Sequence, residues 1–148
     1  MNNKLYKKLG MTTGKLKSLL IEKIKVGDLS HKEVITLLFI VEKFNSNKEV
    51  NVKILQDEFK VKVSSVVQIL NKLELKNLIV RKNSKEDKRI SIIVPTEKSL
   101  RIYNVFCTES EKFLLSVIED YEEFYNCLAV LKKFNENLSE KKGIIINF

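Results

Sequence analysis

The sequence predicts a mainly α-helical fold with one small β-hairpin, an α+β class in which helices dominate. Three observations carry that prediction. Apolar residues recur at helical spacing along most of the chain. The 148 residues include four glycines and one proline, which favours long helices and short loops. Two β-branched runs flank a single charged turn near the middle of the chain. A chain of this length is expected to form a single domain, 1–148, burying about two-thirds of the surface its unfolded form exposes.

Leu5, Leu9, Leu16, Leu19, Leu20 and Ile24 predict a helix over 3–25, disturbed near Gly10 and Gly14 and ended by Gly27-Asp28. Ser30-His31-Lys32-Glu33 reads as a capping box, in which the Ser30 hydroxyl accepts the Glu33 amide and the Glu33 carboxylate reaches back. The helix it opens carries Val34, Ile35, Leu37, Leu38, Ile40, Val41 and Phe44, apolar nearly all round, and is expected to be a buried central helix. A loop at 45–48 follows, then a short extended stretch at 49–51. Asn51 is placed to cap a short helix through Phe59 whose inward residues are Val52, Leu55 and Phe59. After a turn at 60–63, Ser64 or Ser65 is expected to cap a helix over 65–76, with Val66, Ile69, Leu70 and Leu73 inward.

That helix pair, with a buried helix behind it, makes a helix-turn-helix. The runs 78–82 and 90–94 read as an antiparallel hairpin, and a hairpin in this place is a wing. Pro95 stops the second strand because it has no amide to donate. Thr96 then caps a long helix to about Ile118. Asp120 and Glu123 signal a break near 119 and a last helix at 121–138, one continuous helix from 96 to 138 being the alternative. The apolar tail at 143–148 either packs on a neighbouring subunit or frays.

The net charge of +8, from 27 basic and 19 acidic residues, is uneven. Residues 1–26 carry seven lysines against Glu22. Residues 60–89 hold nine basic residues against three acids, and the stretches on either side of that block are net acidic. A compact basic block is the footprint of a phosphate-backbone binder, although a solvated lysine-rich surface would look the same.

Several classes of function are disfavoured. Cys107 and Cys127 match no zinc spacing and His31 has no neighbouring ligand, so neither a metal nor another cofactor is expected. No nucleophile–base arrangement or paired carboxylates stand at usable spacing, so the chain is not expected to be an enzyme. Residues 10–16 have a phosphate-loop look, but they are one residue short, end in Leu16 and follow no strand. Both cysteines sit among aromatic residues on helical segments, where a buried, inert thiol is expected over a redox sensor. With no signal-peptide pattern and no apolar run approaching the ~20 residues of a membrane span, a soluble cytoplasmic protein is expected.

Leu73-Glu74-Leu75-Lys76-Asn77-Leu78-Ile79-Val80-Arg81, then Asp87-Lys88-Arg89, then Pro95-Thr96-Glu97-Lys98-Ser99, resembles the MarR family of winged-helix regulators. The resemblance spans about residues 5–138, and the order and spacing of its parts carry it more than any single motif. Leu29-Ser30-His31-Lys32-Glu33 and the lysine-rich, glycine-poor composition are more similar to the SarA-like branch. Asn77 and Ser99 stand where relatives place glycine, and Pro95 where they place leucine. The resemblance implies a DNA-binding regulator that acts as a homodimer. Its dimerisation helices would be 1–26 and 96–138, its DNA-binding lobe 30–95, and 139–148 a tail. It also implies a small-molecule effector held between the lobes.

On this reading the helix 65–76 enters the major groove of an A·T-rich palindromic operator. Gln68 and Asn71 bond adenine, and Val67 meets a thymine methyl. Ser64 and Ser65 bind a phosphate at the helix start, while Lys62, Lys72, Lys76 and Arg81 add basic contacts. At the wing tip Arg89 meets the minor groove, Asp87 pairs with Arg89 or a wing amide to set its direction, and Lys85 and Lys88 supply sequence-independent attraction. For any single lysine, a free surface charge is an equal alternative. A winged-helix protein-interaction module without DNA binding is the competing function, served by Leu75 and the apolar tail.

Overall fold

The computed structural model describes residues 19, 21–84, 87 and 89–140, the side chains at 138 and 139 aside. Most of the helix expected at 3–25, the wing-tip positions 85, 86 and 88, and the tail lie outside the described residues. Leu19 and residues 21–23 are helical. The described elements are α1 (His31–Asn45), α2 (Val52–Phe59), α3 (Val63–Leu75), β1 (Ile79–Asn83), β2 (Ser91–Pro95), α4 (Glu97–Val117) and α5 (Tyr121–Glu140). Residues 1–110 and 111–148 form two compact units.

In the first unit α1 opens on the expected capping box. The Glu33 amide donates to Ser30 Oγ at 3.4 Å, and the Ser30 amide donates to Glu33 Oε2 at 2.7 Å. Its buried stripe is Glu33, Val34, Thr36, Leu37, Ile40 and Val41. The expectation of burial all round is corrected at Phe44, which is exposed, and at Ile35, Leu38 and Phe39, which are half-buried. Asn51 caps α2 as expected, Oδ1 accepting from the Ile54 amide at 3.0 Å. Leu55 is fully buried, while Val52 and Phe59 pack at the edge of the core.

The turn between α2 and α3 differs from the sequence expectation. Lys60 closes α2 in the left-handed region at φ 52, and α3 starts at Val63 with Lys62 as its cap and no side-chain capping bond. Ser64 and Ser65 therefore lie inside the first turn and neither is the cap. Extended backbone at Lys62 turns its carbonyl toward the amides of Ser65 and Val66, at 3.0 and 3.3 Å, and the helix begins two residues earlier than expected. Val66, Leu70 and Leu73 are buried as expected, and Ile69 packs beside them.

The end of α3 is a Schellman turn. Asn77 sits at φ 55, its amide donates to Glu74 O, and the Leu78 amide donates to Leu73 O, both at 2.9 Å. Asn tolerates the left-handed conformation that usually selects glycine there. β1 and β2 pair antiparallel, from Ile79 opposite Pro95 to Asn83 opposite Ser91. The Ile93 amide donates to Val50 O at 2.8 Å, which ties the stretch before α2 to the wing. Leu37, Ile40, Val50, Leu55, Val66, Leu70, Leu73, Leu78, Ile79 and Ile93 make one core under helices and hairpin alike.

Thr96 caps α4, its Oγ1 accepting from the Ser99 amide at 3.4 Å. In the second unit the helix breaks at 118–120, as expected, and Asp120 Oδ1 caps α5 by accepting the Glu123 amide at 2.9 Å. No described residue of α5 is buried. The expectation of buried thiols is overturned, since Cys107 and Cys127 are both exposed. They lie on faces of α4 and α5 that the single chain leaves open.

Candidate nucleic-acid interface

Burial of Val66, Leu70 and Leu73 fixes the rotation of α3 and so decides what its other face presents. Ser64, Gln68, Asn71, Lys72 and Leu75 recur on that face at helical spacing, and all five are exposed. Lys62 is exposed just ahead of the helix, whereas Ser65 and Val67 are half-buried at the margin. Leu75, expected from the sequence to serve the competing docking function, is 83% exposed on this face, a large apolar side chain among polar neighbours.

Arg81 joins the wing to this face. Its Nη2 donates to Asn71 Oδ1 at 2.6 Å, and its Nε lies 3.6 Å from Glu74 Oε2. Asn71 thus already accepts one bond, and a bidentate contact to adenine has to share or displace it. At the wing, the Ser84 amide donates to Ile90 O and the Ile90 amide to Asp87 O, at 2.8 and 2.9 Å. Asp87 takes the Arg89 amide and guanidinium together, and these bonds hold its carboxyl below the usual range. The Arg89 side chain is 92% exposed. Lys85 and Lys88 lie outside the described residues.

Lys76, expected as a phosphate contact, has partners within the chain. Its ammonium lies 3.2 Å from Asp28 Oδ2 and 3.4 Å from Glu33 Oε1, and it donates to Asp28 O at 3.3 Å. Partial burial pulls its pKa down, but the Asp28 and Glu33 contacts outweigh that and raise it. Its charge is thus matched inside the protein. Sequence reasoning missed Asp28, Glu33 and Glu74 as partners of the basic block because no local spacing links them.

Two of the cavities in the same unit lie against α1 and α2. One of about 140 Å³ sits among Ile35, Phe59, Val61, Ser65, Val66 and Ile69. Another of about 230 Å³ is walled by Phe39, Phe59, Tyr103 and Phe106, with Glu42 and Glu58 at its edge. Burial, Cys107 and then Glu42 raise the Tyr103 pKa. Among the described residues no group of three or more His, Cys, Asp or Glu stands placed to hold a metal ion.

Residues 35–91 match the MarR family. The matched stretch runs from α1 across α2, α3 and the wing to the start of β2. The chain resembles a SlyA-like transcription regulator from Listeria monocytogenes, at 26% identity over 100% of both chains with a TM-score of 0.69. It also resembles a MarR family protein from Bacillus stearothermophilus, at 16% identity over 93% of this chain and 92% of that one, TM-score 0.70. MepR of S. aureus bound to ethidium bromide matches at 21% identity over 90% of this chain and 96% of that one, TM-score 0.59. No curated protein sequence matches. The fold is the winged helix of the MarR regulators. No helix among the described residues is long and apolar enough to cross a membrane.

Proposed function

We propose that this chain is a MarR-family transcriptional regulator that binds double-stranded DNA as a homodimer in the cytoplasm, without catalysing a reaction. The observation that carries the reading is the Arg81–Asn71 bond, which makes the exposed face of α3 and the base of the wing one polar, cationic surface. In this reading the lobe 30–95 meets DNA, with α3 in the major groove. Gln68 bonds adenine and Asn71 a second base while sharing Arg81. Val67 approaches a thymine methyl, and Ser64, Ser65, Lys62 and Lys72 hold phosphates. Arg89, steered by Asp87 and assisted by Lys85 and Lys88, takes the A·T-rich minor groove.

The segments 1–26 and 96–138 would make the dimer, which sets two lobes on a palindromic operator. Exposed Tyr125, Leu128, Val130 and Phe134 on α5 support this, because a lone chain leaves them in water. Leu29-Ser30-His31-Lys32-Glu33 and the lysine-rich composition support the SarA-like branch. For the effector, the 230 Å³ cavity is the candidate site. Four aromatic rings and two carboxylates suit an aromatic cation, the class of the ethidium bound by the S. aureus MepR.

Exposed Leu75 favours a second reading, a protein-docking module. Selection of bound duplexes from a random pool, with the particle mass measured in solution, separates the two. A palindromic consensus on a two-chain particle upholds the regulator. No enrichment at low salt, with capture of a protein partner at high salt, replaces it with the second reading.

A further inference from the structure

The buried Glu33 carboxylate serves two helices at once. Its Oε2 accepts the Ser30 amide at the start of α1, and its Oε1 faces the Lys76 ammonium at the end of α3. The Glu33 side chain is 5% exposed and that of Lys76 28%. A carboxylate so placed needs its cation, because removing one partner of a buried pair leaves the other charge uncompensated. Lys76 therefore cannot swing to a DNA phosphate without stranding Glu33. The same ammonium also meets Asp28, in the stretch that leads into α1. From the other side, Lys98 of α4 donates to the Lys76 carbonyl at 3.1 Å, and Thr96 donates to Asn77 O at 2.9 Å. The C-terminal end of α3 is thus pinned to the 28–33 segment and to the start of α4.

We infer that Lys76 is a positioning residue for DNA recognition, setting the pitch of α3 through its pairing with Glu33 and Asp28 and making no contact with DNA itself. The lever is long. Gln68 lies about 12 Å up the helix from Lys76 at the usual rise, so a tilt of about 5° at the anchor moves it by about 1 Å. That displacement is enough to spoil a hydrogen bond to a base edge.

This inference rests on the DNA-binding reading, and the two fail differently. The test measures affinity for the selected duplex against salt for Lys76→Met, Glu33→Gln and Lys76→Arg, with Lys72→Met as a phosphate-contact control. Glu33→Gln is informative because Gln also serves at the third position of a capping box, so α1 keeps its start while the charge pair goes. Lys76→Met and Glu33→Gln are each expected to weaken binding about three- to tenfold, with the salt slope unchanged and the double variant no weaker than the poorer single one. Lys76→Arg keeps both partners and returns affinity to within about twofold. Lys72→Met lowers the slope by about 0.9.

A phosphate-contact role predicts the opposite sign for Glu33→Gln, because removing an acid from a protein of net charge +8 should tighten binding. Tighter binding by Glu33→Gln, or a slope lowered by Lys76→Met, overturns the inference and leaves the DNA reading standing. Amide exchange without DNA supplies the second arm. Faster exchange over 73–78 in both variants, in a protein that binds no duplex, upholds the pin and overturns the DNA reading. Unchanged exchange in both overturns the pin.

Discussion

Asp87 grips Arg89 at three points. Its Oδ1 accepts the Arg89 amide at 2.9 Å and Nε at 3.2 Å, and its Oδ2 accepts Nη2 at 3.3 Å. On the DNA-binding reading, an acid beside a contacting arginine opposes phosphate, so its use is directional. Backbone and side-chain bonds already fix where the guanidinium points, and on that reading less ordering remains to be done on binding.

Arg89→Ala is expected to lower duplex affinity and reduce the slope of log K against log salt by about 0.9, one phosphate's share. Asp87→Ala removes the grip but keeps the cation, so affinity falls while the slope stays. The pairing follows the ionised carboxylate. The Asp87 pKa is lowered, so the grip is complete above the ordinary aspartate value and is lost only as pH falls through the depressed folded value. Salt titrations of both variants at neutral pH check the first two outcomes.

Glu33 ties stability to acid. Burial pushes its pKa up, but hydrogen bonds from Ser30 and the nearby Lys76 outweigh burial and bring it below the ordinary glutamate value. A carboxyl lowered on folding contributes stability above its unfolded pKa, and that contribution is lost as pH falls through the folded one. Urea unfolding at stepped pH should show a steep acid limb in the native protein and a flatter one in Glu33→Gln. Ser30→Ala should cost about 1 kcal/mol at neutral pH through the lost cap. Parallel acid limbs for native protein and Glu33→Gln would refute the assignment.

What was legible in the sequence was local. The Ser30–Glu33 box, the Asn51 cap, the Asp120 cap and the hairpin all depend on residues a few places apart, and all are present, the hairpin with each strand one residue later than expected. The start of α3 was misread because a serine's capping preference is weak beside the burial of Val66, Leu70 and Leu73, which places the whole helix. The pairing of Lys76 was not foreseen because its partner Asp28 is 48 positions away. Phe44, Cys107 and Cys127 show the remaining gap. Helical spacing marks an apolar face but does not say whether this chain covers it.

Two leucines on α3 should behave oppositely. Leu70 is completely buried and Leu75 is 83% exposed. Leu70→Ala leaves a cavity among Leu37, Leu55 and Leu73 and should cost about 2–5 kcal/mol by urea unfolding. Leu75→Ala removes little buried surface and should stay within about 0.5 kcal/mol. Under the DNA reading, Leu75→Ala also leaves the salt slope unchanged, because no charge is lost. Loss of a protein partner in Leu75→Ala, with duplex binding intact, would identify it as a docking residue.

The second unit makes the last prediction. α5 carries no buried residue among those described, yet Leu128 and Phe134 are each 42% exposed and Val130 is 68% exposed. Helical stability in proteins comes chiefly from packing an apolar face, so a twenty-residue helix with none buried needs a neighbour. On the dimer reading a second copy of the chain would provide one by two-fold symmetry, where each contact is made twice. Leu128→Lys with Phe134→Glu places four charges in such an interface for two substitutions per chain. Sedimentation at micromolar concentration should show a two-chain particle for the native protein and a single chain for the double variant, with cooperative duplex binding lost alongside. If the native protein sediments as one chain, the helices serve some other contact and the two-lobed operator goes with the dimer.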